Sequence, residues 1–541
     1  MSKDGIALAR GRASEGGWRA QVSSGGVVLH VLRLKRRLGR FAVAVLGAAI
    51  ALPGPSSVAA AAVVMHPTVS DFVQVSTSTT PPTQAQCAMA VPVKRRCFSP
   101  QAIQSAYNLG PLYAKGLNGH GMTIAIVDSF GSDTITHDLH VFDQAFGIAP
   151  MCGEEGVTCT PSMPTFSQLH LQGAPPTNSI PGNGTTGLED HSAWALEVSL
   201  DVETAHAMAP GANIILVTTP TAETLGVQGF PDMMNAEQFV VDHHLANVIS
   251  QSFASAEEAF GSTQSLLNLR HAYIAAAQNG ITVLGSSGDG GTANGTKQSI
   301  VGPGGLGAGP NQLIPFPSVE WPASDPLVTG VGGTYLCTDP NATTNQPRTV
   351  DSASPPTNCQ SHPGVSEVGW TNAGGGFSQV FARPSYQDTL PAGSTAIGAM
   401  RGVPDIGLQA SSRTGALVYI SLPPAGSGGL LCPTASGGKA PCSSGWYDIG
   451  GTSLSCPQWA ALVAIADQVN GGGLGLINPA LYKIGANPAM YANDFFDVTT
   501  GKNQTDPSIA GYPATTGWDP VTGLGTPNAA NLIPDLVAAA H

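Results

Sequence analysis

Charged residues are scarce in this sequence. Only 11% of its 541 residues are Asp, Glu, Lys or Arg, against roughly 25% in ordinary soluble domains. The 22 basic residues are outnumbered by 35 acidic ones, which leaves a net charge of −13. A chain of this kind offers little positive surface for phosphates, so nucleic acid is excluded as a partner.

Long helical stretches are also unsupported by the composition. The chain contains 67 Gly and 43 Pro, too many for a coiled coil or helical bundle but fewer than the roughly 25–30% that marks low-complexity disorder. Hydrophobic residues make up 42% of the chain. They supply enough apolar surface for a large core.

The apolar run at 41–52 is too short for a membrane helix. It has about 12 residues, whereas about 20 are needed to cross a bilayer. Basic residues precede it, and two prolines and the small-residue stretch SSVAAAA follow. This order is typical of a secretory signal peptide. We therefore predict a leader over 1–62, cleaved near 59–62, and a secreted, extracellular protein without stable membrane insertion; an uncleaved anchor is the alternative.

The nine cysteines contain no CxxC zinc pattern. Eight fall into pairs that are close in sequence, and Cys456 is left over. Connectivity does not follow from sequence, but local pairs would close four loops, as is common in exported proteins. We expect Cys456 to be a buried, inert thiol. The sequence-near pairs are Cys87 with Cys97, Cys152 with Cys159, Cys337 with Cys359, and Cys432 with Cys442.

The chain changes texture near residue 98. Residues 63–98 are rich in Ser, Thr, Pro and Gln without periodicity, which predicts a flexible linker; its run Lys94–Arg96 is either solvated or a trimming point. The domain predicted over 99–541 alternates strand-like and helical patterns. This favours an α/β fold with a mostly parallel β-sheet flanked by helices. Strands are predicted at 123–129, 213–219, 247–253 and 281–287, and helices at 191–208, 232–246 and 264–279.

The segment GGTSLSCPQWAA at 450–461 places Ser453 after a small-residue turn and at the start of a predicted helix. A serine there can project its hydroxyl into a cleft beside unpaired backbone N–H groups. Alternatively, Thr452 or Ser453 is simply the N-cap of the helix.

Three acidic residues stand out elsewhere. Glu197 and Asp201 are four residues apart in a predicted helix with apolar neighbours, so they share one face. Coupled carboxyl groups can share a proton and serve as an acid/base pair; a solvated surface pair is the alternative. Asp289 lies in GSSGDGG at 285–291, after a predicted strand. It is either a turn residue or, when protonated, a donor to an oxyanion.

Together these motifs resemble the sedolisin family of serine-carboxyl peptidases, over roughly residues 99–536. The resemblance implies a subtilisin-like fold and a secreted, acid-acting endopeptidase or tripeptidyl peptidase that forms an acyl-enzyme. It implies Ser453 as nucleophile, Glu197 as general base, Asp201 as the residue that orients and couples to Glu197, and Asp289 as oxyanion stabiliser. Further matching segments are SPQAIQSAYNL (99–109), TIAIVDSF (123–130), GGGFSQVFARPSYQ (374–387) and RGVPDIGLQAS (401–411).

The same resemblance implies one structural Ca²⁺ in a C-terminal calcium-binding loop region. The segments at 493–504 and 514–527 are rich in glycine and carboxylates, which suits a cation that takes 6–8 oxygen ligands. A metal-free structural loop is the alternative, and family members often have Gly where this chain has Thr515. The implied ligands are the carboxylates of Asp497 and Asp519 and the carbonyls of Val498, Thr515 and Gly517.

Two rival functions remain open. A subtilisin-like Ser-His-Asp protease could use Asp128, but the helix that should carry its histidine has Glu197 and Asp201, with His206 near its end. A metalloprotease is disfavoured because no HExxH motif occurs. The other rival is a catalytically inactive, secreted peptidase-like binding protein.

Relatives in the sedolisin family usually carry a long prosegment. Only about 40 residues separate the predicted leader from the catalytic similarity. We therefore expect the prosegment to be missing or supplied separately. The expected partners are protein or peptide substrates, and the expected state is a monomer.

Overall fold

The computed structural model describes ten stretches of the chain, and the structural statements below refer to these residues. No helix within them is long and apolar enough to span a membrane. The predicted leader over 1–62 lies outside them, so its prediction stays untested. The described residues are 66–67, 72–90, 94–171, 188–220, 229–296, 313–342, 348–351, 356–422, 431–433 and 439–541.

The centre of the fold is an eight-stranded sheet. Its strand order is β7-β6-β5-β4-β1-β3-β2, with β8 also paired to β6. Only the β6–β7 pair is antiparallel; the other pairs are parallel. The mostly parallel sheet predicted from the sequence is therefore confirmed. The strands are β1 Thr123–Ser129, β2 Phe166–His170, β3 Asn213–Thr219, β4 Val248–Gln251, β5 Thr282–Ser286, β6 Thr329–Leu336, β7 Glu367–Gly369 and β8 Ile406–Gln409.

Helices cover both faces of this sheet, because the strands are apolar on both sides. In β1, Ile124 and Ile126 belong to one apolar layer, and Ala125 and Val127 to the other, as the two-residue period of a strand requires. Helices α2, α5 and α6 contribute to the first layer, and α3 and α4 to the second. The main helices are α1 Ile135–Phe146, α2 Leu188–Met208, α3 Gly229–Asp242, α4 His271–Gln278, α5 Thr452–Asn470 and α6 Ala529–Ala540.

Shorter elements surround this centre. Other helices are Gln84–Ala88, Pro100–Ala106, Gly110–Tyr113, Thr263–Leu267, Thr357–Gln360, Asn478–Gly485 and Pro488–Asp494, with 3₁₀ turns at Glu257–Ala259, Ser385–Gln387 and Ser412–Thr414. Other strands are His66–Pro67, Phe72–Ser76, Phe253–Ala256, Glu320–Trp321, Gly376–Ala382, Met400–Val403, Ala416–Ile420, Leu431–Pro433, Lys439–Pro441, Gly445–Ile449, Phe495–Phe496 and Thr526–Pro527.

The described part of 63–98, where the sequence predicts a flexible linker, contains secondary structure. Strand Phe72–Ser76 pairs antiparallel with Gly445–Ile449, and its Phe72 and Val73 side chains are buried. Arg95 is also buried and donates a hydrogen bond to the Ser412 carbonyl over 2.9 Å. Within the Lys94–Arg96 run, Arg95 is therefore built into the fold, whereas Lys94 is exposed.

The four expected local cysteine pairs are confirmed as disulfides. The free thiol of Cys456 is buried, and burial raises its pKa to about 12. Its predicted burial is confirmed, and the raised pKa disfavours the reactive thiolate form. The bonds join Cys87 to Cys97, Cys152 to Cys159, Cys337 to Cys359 and Cys432 to Cys442.

Candidate active site

Two packed helices carry three of the four predicted catalytic residues. Glu197 and Asp201 lie on α2, and Ser453 lies in the first turn of α5. The two helices pack against each other in one apolar layer. All three side chains are buried, so the alternative of a solvated Glu197–Asp201 pair is wrong.

Burial dominates the electrostatics of Glu197. It raises the pKa of this carboxyl group well above its usual value, and the charges of Asp128 and Asp289 raise it further. The nearby hydroxyl groups of Ser453 and Ser252 lower the same pKa. In the described part of the chain, neither Glu197 oxygen has a partner within ordinary hydrogen-bond distance. The two hydroxyl groups therefore lie near this carboxyl group but beyond ordinary hydrogen-bond distance of its oxygens.

Asp201 responds to the same surroundings. Burial raises its pKa well above the usual value, followed by the charges of Asp128 and then Glu197, while the Ser252 hydroxyl lowers it. Two adjacent carboxyl groups that both resist ionisation can share one proton between them. The pair is therefore equipped to accept and return a proton.

Asp289 is fixed to the start of α5. Its Oδ1 accepts hydrogen bonds from Thr452 N over 2.7 Å and from Thr452 Oγ1 over 2.9 Å. Gly288 N donates to Thr452 Oγ1 over 3.0 Å. Asp289 is thus tied to the residue that precedes Ser453, and it is not a simple turn residue.

The N-cap interpretation of the GGTS segment is wrong. The N-cap of α5 is Gly451, and no side chain caps the helix. The φ angle of Gly451, 128°, lies in a region that residues with side chains rarely adopt. At Gly450, a Cβ atom would clash with the backbone of Ser412. The two glycines therefore permit the turn that leaves Ser453 in the first helical turn rather than at the cap.

Sequence comparison identifies relatives over most of this chain, although no protein-family profile matches it. Kumamolisin from Bacillus sp. (strain MN-32) is 30% identical over 450 residues, covering 82% of this chain and 64% of kumamolisin. The homologues of this chain are therefore sedolisin-family proteins.

Other comparisons agree with this family. Tripeptidyl-peptidase SED1 of Arthroderma otae is 32% identical over 309 residues, which cover 53% of this chain and 40% of the relative. Tripeptidyl-peptidase 1 of Dictyostelium discoideum is 27% identical over 412 residues, 73% of this chain and 51% of the relative. The chain thus spans less than two thirds of the length of these curated relatives.

A solved structure supports the fold. Pseudomonas sedolisin, a serine-carboxyl proteinase complexed with two molecules of pseudo-iodotyrostatin, aligns with a TM-score of 0.57 and 24% identity. The alignment covers 83% of this chain and all of that one. The architecture is therefore the sedolisin-like version of the subtilisin fold, as the motifs predicted.

One further acidic residue joins the candidate site of this chain. Asp128 lies near the carboxyl end of β1 and is buried. Beyond the effect of burial, its charge raises the pKa of both Glu197 and Asp201. Burial raises the pKa of Asp128 to about 8. The sequence motifs suggest Asp128 only for the rival Ser-His-Asp mechanism. An acid at the carboxyl end of a buried parallel strand was the available signal.

His206 does not serve that rival. It lies in the last turn of α2, with Nε2 at 3.0 Å from Asp143 Oδ2 and 3.2 Å from the Ala149 carbonyl oxygen. The ring nitrogen that a catalytic base would use is therefore engaged with α1 and the loop that follows it.

The predicted calcium ligands lie on two adjacent loops of the sedolisin fold. Gly517 N donates to both Asp497 oxygens at 3.1 Å, and Thr515 N donates to Asp519 Oδ2 at 3.1 Å. Burial raises the pKa of the Tyr491 hydroxyl, and the charges of Asp497 and Asp519 raise it further. The two acids therefore lie in one neighbourhood.

These residues fit a cation. Asp519 is fully buried, and burial raises its pKa to about 7, against the lowering effect of hydrogen bonds from Thr522, Thr515 and Val521. Within the described residues, neither Asp519 nor Asp497 forms an ion pair with a basic side chain. Two uncompensated carboxyl groups with glycine-rich backbone around them are the donor set that hard cations take.

Proposed function

We propose that this protein is an acid-acting serine-carboxyl endopeptidase that cleaves proteins or peptides. One observation carries the proposal. A buried carboxyl pair, Glu197 and Asp201, lies on a helix packed against the helix whose first turn holds Ser453, while Asp289 is bound to Thr452 at the same helix start.

Glu197 is the general base of the proposed mechanism. It takes the proton of Ser453 Oγ as this oxygen attacks the peptide carbonyl carbon. The proton then passes to the leaving amine as the C–N bond breaks, and an acyl-enzyme remains. Water, activated by the same carboxylate, releases the acyl group. A carboxylate base works in acid, where an imidazole would be protonated.

Asp201 acts through Glu197. The two buried carboxyl groups hold one proton between them, so Asp201 keeps Glu197 oriented and stabilises it when it becomes protonated. Asp128 is a third buried carboxyl group beside this pair. Its charge raises the pKa of both acids, but only when Asp128 is ionised, and burial raises its own pKa to about 8.

The contacts of Asp289 suit an oxyanion donor. Its Oδ1 already accepts two hydrogen bonds from Thr452. A proton on this carboxyl group therefore belongs on Oδ2, from which it can be donated to the oxyanion that forms during attack. The role requires the protonated acid, in agreement with operation at low pH.

Extended peptides suit the region beside this site. Strand Phe253–Ala256 directly follows Ser252, and a short segment of the chain, His66–Pro67, pairs antiparallel with Ala254 and Phe253. An edge that binds an extended segment through backbone hydrogen bonds can bind a peptide substrate in the same way.

We also propose one structural Ca²⁺, bound by Asp497 and Asp519 and by the carbonyls of Val498, Thr515 and Gly517. When bound, the ion would neutralise the two carboxylates and hold their loops together. We further propose that the mature protein is secreted, extracellular and monomeric.

Replacement of Ser453 and of Glu197 tests the proposal. The full chain is expressed as wild type, Ser453→Ala and Glu197→Gln, and cleavage of a denatured protein is followed from about pH 2 to pH 8. We expect activity to peak in acid and each variant to lose roughly 10⁴-fold or more. Mass spectrometry of the products separates internal cleavage from release of tripeptides.

Ser455→Ala is the matched control, two residues along the same helix. The Ser455 hydroxyl donates to the Gln409 carbonyl over 2.9 Å and has no part in the proposed reaction, so this variant should remain active. An activity maximum above about pH 7, or full activity in Ser453→Ala, would contradict the proposal. Full activity in Glu197→Gln would support the Ser-His-Asp alternative.

A further inference from the structure

A second buried cluster of ionisable groups lies at the far end of α2. Asp143 on α1, Glu154 on the loop that follows, and His206 on α2 each offer a ligand atom within 4.8 Å of the others. Their exposed fractions are 1%, 4% and 0%. His206 is nine residues beyond Glu197, about 13 Å along the helix axis. The cluster is therefore separate from the proposed catalytic groups.

The spacing of these atoms matches a coordination sphere. His206 Nε2 lies 3.0 Å from Asp143 Oδ2 and 3.2 Å from the Ala149 carbonyl oxygen. Metal–ligand bonds of about 2.0–2.2 Å place adjacent ligands roughly 2.8–3.6 Å apart in octahedral or tetrahedral sites. The same separations thus accommodate a shared proton or a metal ion.

Unpartnered atoms in the cluster point to a ligand. In the described part of the chain, Asp143 Oδ1 and His206 Nδ1 have no hydrogen-bond partner, although both residues are buried. A buried carboxylate oxygen without a partner is costly. A cation next to the Asp143 carboxylate would satisfy it.

The surroundings are acidic. Besides Asp143 and Glu154, the buried carboxyl groups of Asp138 and Glu203 lie nearby. Glu154 also contacts His140 Nδ1 at 3.2 Å. Among the described ion pairs, Asp143 and Glu154 pair only with histidines. The C-terminal end of α2 adds partial negative charge, which favours a cation.

We propose that Asp143, Glu154, His206 and the Ala149 carbonyl bind one divalent transition-metal cation of the Zn²⁺ class. An imidazole combined with carboxylates suits Zn²⁺, Mn²⁺ or Co²⁺, whereas Ca²⁺ prefers oxygen ligands alone. The ion joins α1 and its following loop to the C-terminal end of the helix that carries Glu197. This site is independent of the proposed peptidase reaction and of the predicted calcium loops.

Cobalt binding tests this site without relying on activity. Purified full-chain protein, freed of metal, is titrated with Co²⁺ at about pH 7, where metal-binding groups can deprotonate. We expect one Co²⁺ per chain with visible absorption bands, displaced by Zn²⁺ and not by Ca²⁺. His206→Gln, Asp143→Asn and Glu154→Gln should each weaken Co²⁺ binding at least roughly tenfold.

Two controls separate this site from others. His137→Gln removes an exposed histidine of the same helix α1, one that pairs with Glu155, and Asp519→Asn alters the calcium loop; both should keep Co²⁺ binding. Circular dichroism identifies variants that fail to fold, and Glu154→Gln, on a loop, remains informative if the helix variants unfold. Absence of Co²⁺ uptake by the wild type, or full uptake by all three folded ligand variants, would overturn the proposal and leave a shared proton in its place.

Discussion

Asp467→Asn should make the protein's stability less dependent on pH. Asp467 lies on α5 with a fully buried side chain. Its Oδ1 accepts a hydrogen bond from Leu474 N over 2.8 Å, and its Oδ2 has no partner among the described residues. Burial raises its pKa from 3.8 to about 8, despite the opposing effect of the Leu474 hydrogen bond.

The sign of the effect follows from this direction. A carboxyl group whose pKa is higher in the folded state than in the unfolded state stabilises the fold while it is protonated. That contribution is complete below pH 3.8 and is lost as the pH rises toward about 8. Each pKa unit is worth about 1.4 kcal/mol, so the loss by about pH 7 is at most about 4 kcal/mol. Asn stays neutral and avoids this loss.

Urea unfolding of wild type and Asp467→Asn at about pH 4 and pH 7 measures the difference. We expect similar free energies of unfolding at the lower pH and a variant more stable by about 2–4 kcal/mol at the higher one. Asp133→Asn, which removes an exposed acid, serves as the matched control and should behave like the wild type. An equal loss of stability in wild type and Asp467→Asn would refute the reasoning.

Two other changes address the sites. Asp128→Asn should keep peptidase activity within about threefold between roughly pH 3 and 5. Burial raises the pKa of Asp128 to about 8, so its carboxyl group is already neutral in that range. A loss above about 100-fold in steady-state assays would point instead to an ionised Asp, as in a Ser-His-Asp enzyme. Removal of Ca²⁺ with EGTA should lower the melting temperature by about 5 °C, and Asp519→Asn should abolish this response; a melting temperature insensitive to EGTA would remove the calcium proposal.

Much of the architecture could be predicted from local patterns. The strands TIAIVDS and NIILVTT stand out because glycine or asparagine bounds these runs of β-branched residues. Glu197 and Asp201 share a face because a helix repeats every 3.6 residues. The disulfides were also accessible, since each joins cysteines that are close in sequence.

The remaining features depend on distant contacts. The local sequence does not predict strand Phe72–Ser76, because its partner, Gly445–Ile449, follows it by more than 360 residues. The Asp143–His206 contact spans 63 residues, and nothing local marks either side chain. The position of Asp128 beside Glu197 depends on how β1 and α2 pack, which no short motif encodes. The catalytic and calcium roles remain predictions.

The packing of α2 against α5 has a consequence for how enzymes of this design can diversify. Leu196 and Leu200 on one helix and Leu454 on the other belong to the same buried layer, so the core sets the distance between the proposed base and the proposed nucleophile. Loops that connect the strands can lengthen or change sequence without moving either helix. Under the proposed function, the loops determine the choice of substrate and the two packed helices determine the chemistry of cleavage. Substrate choice can therefore change while the catalytic groups stay the same.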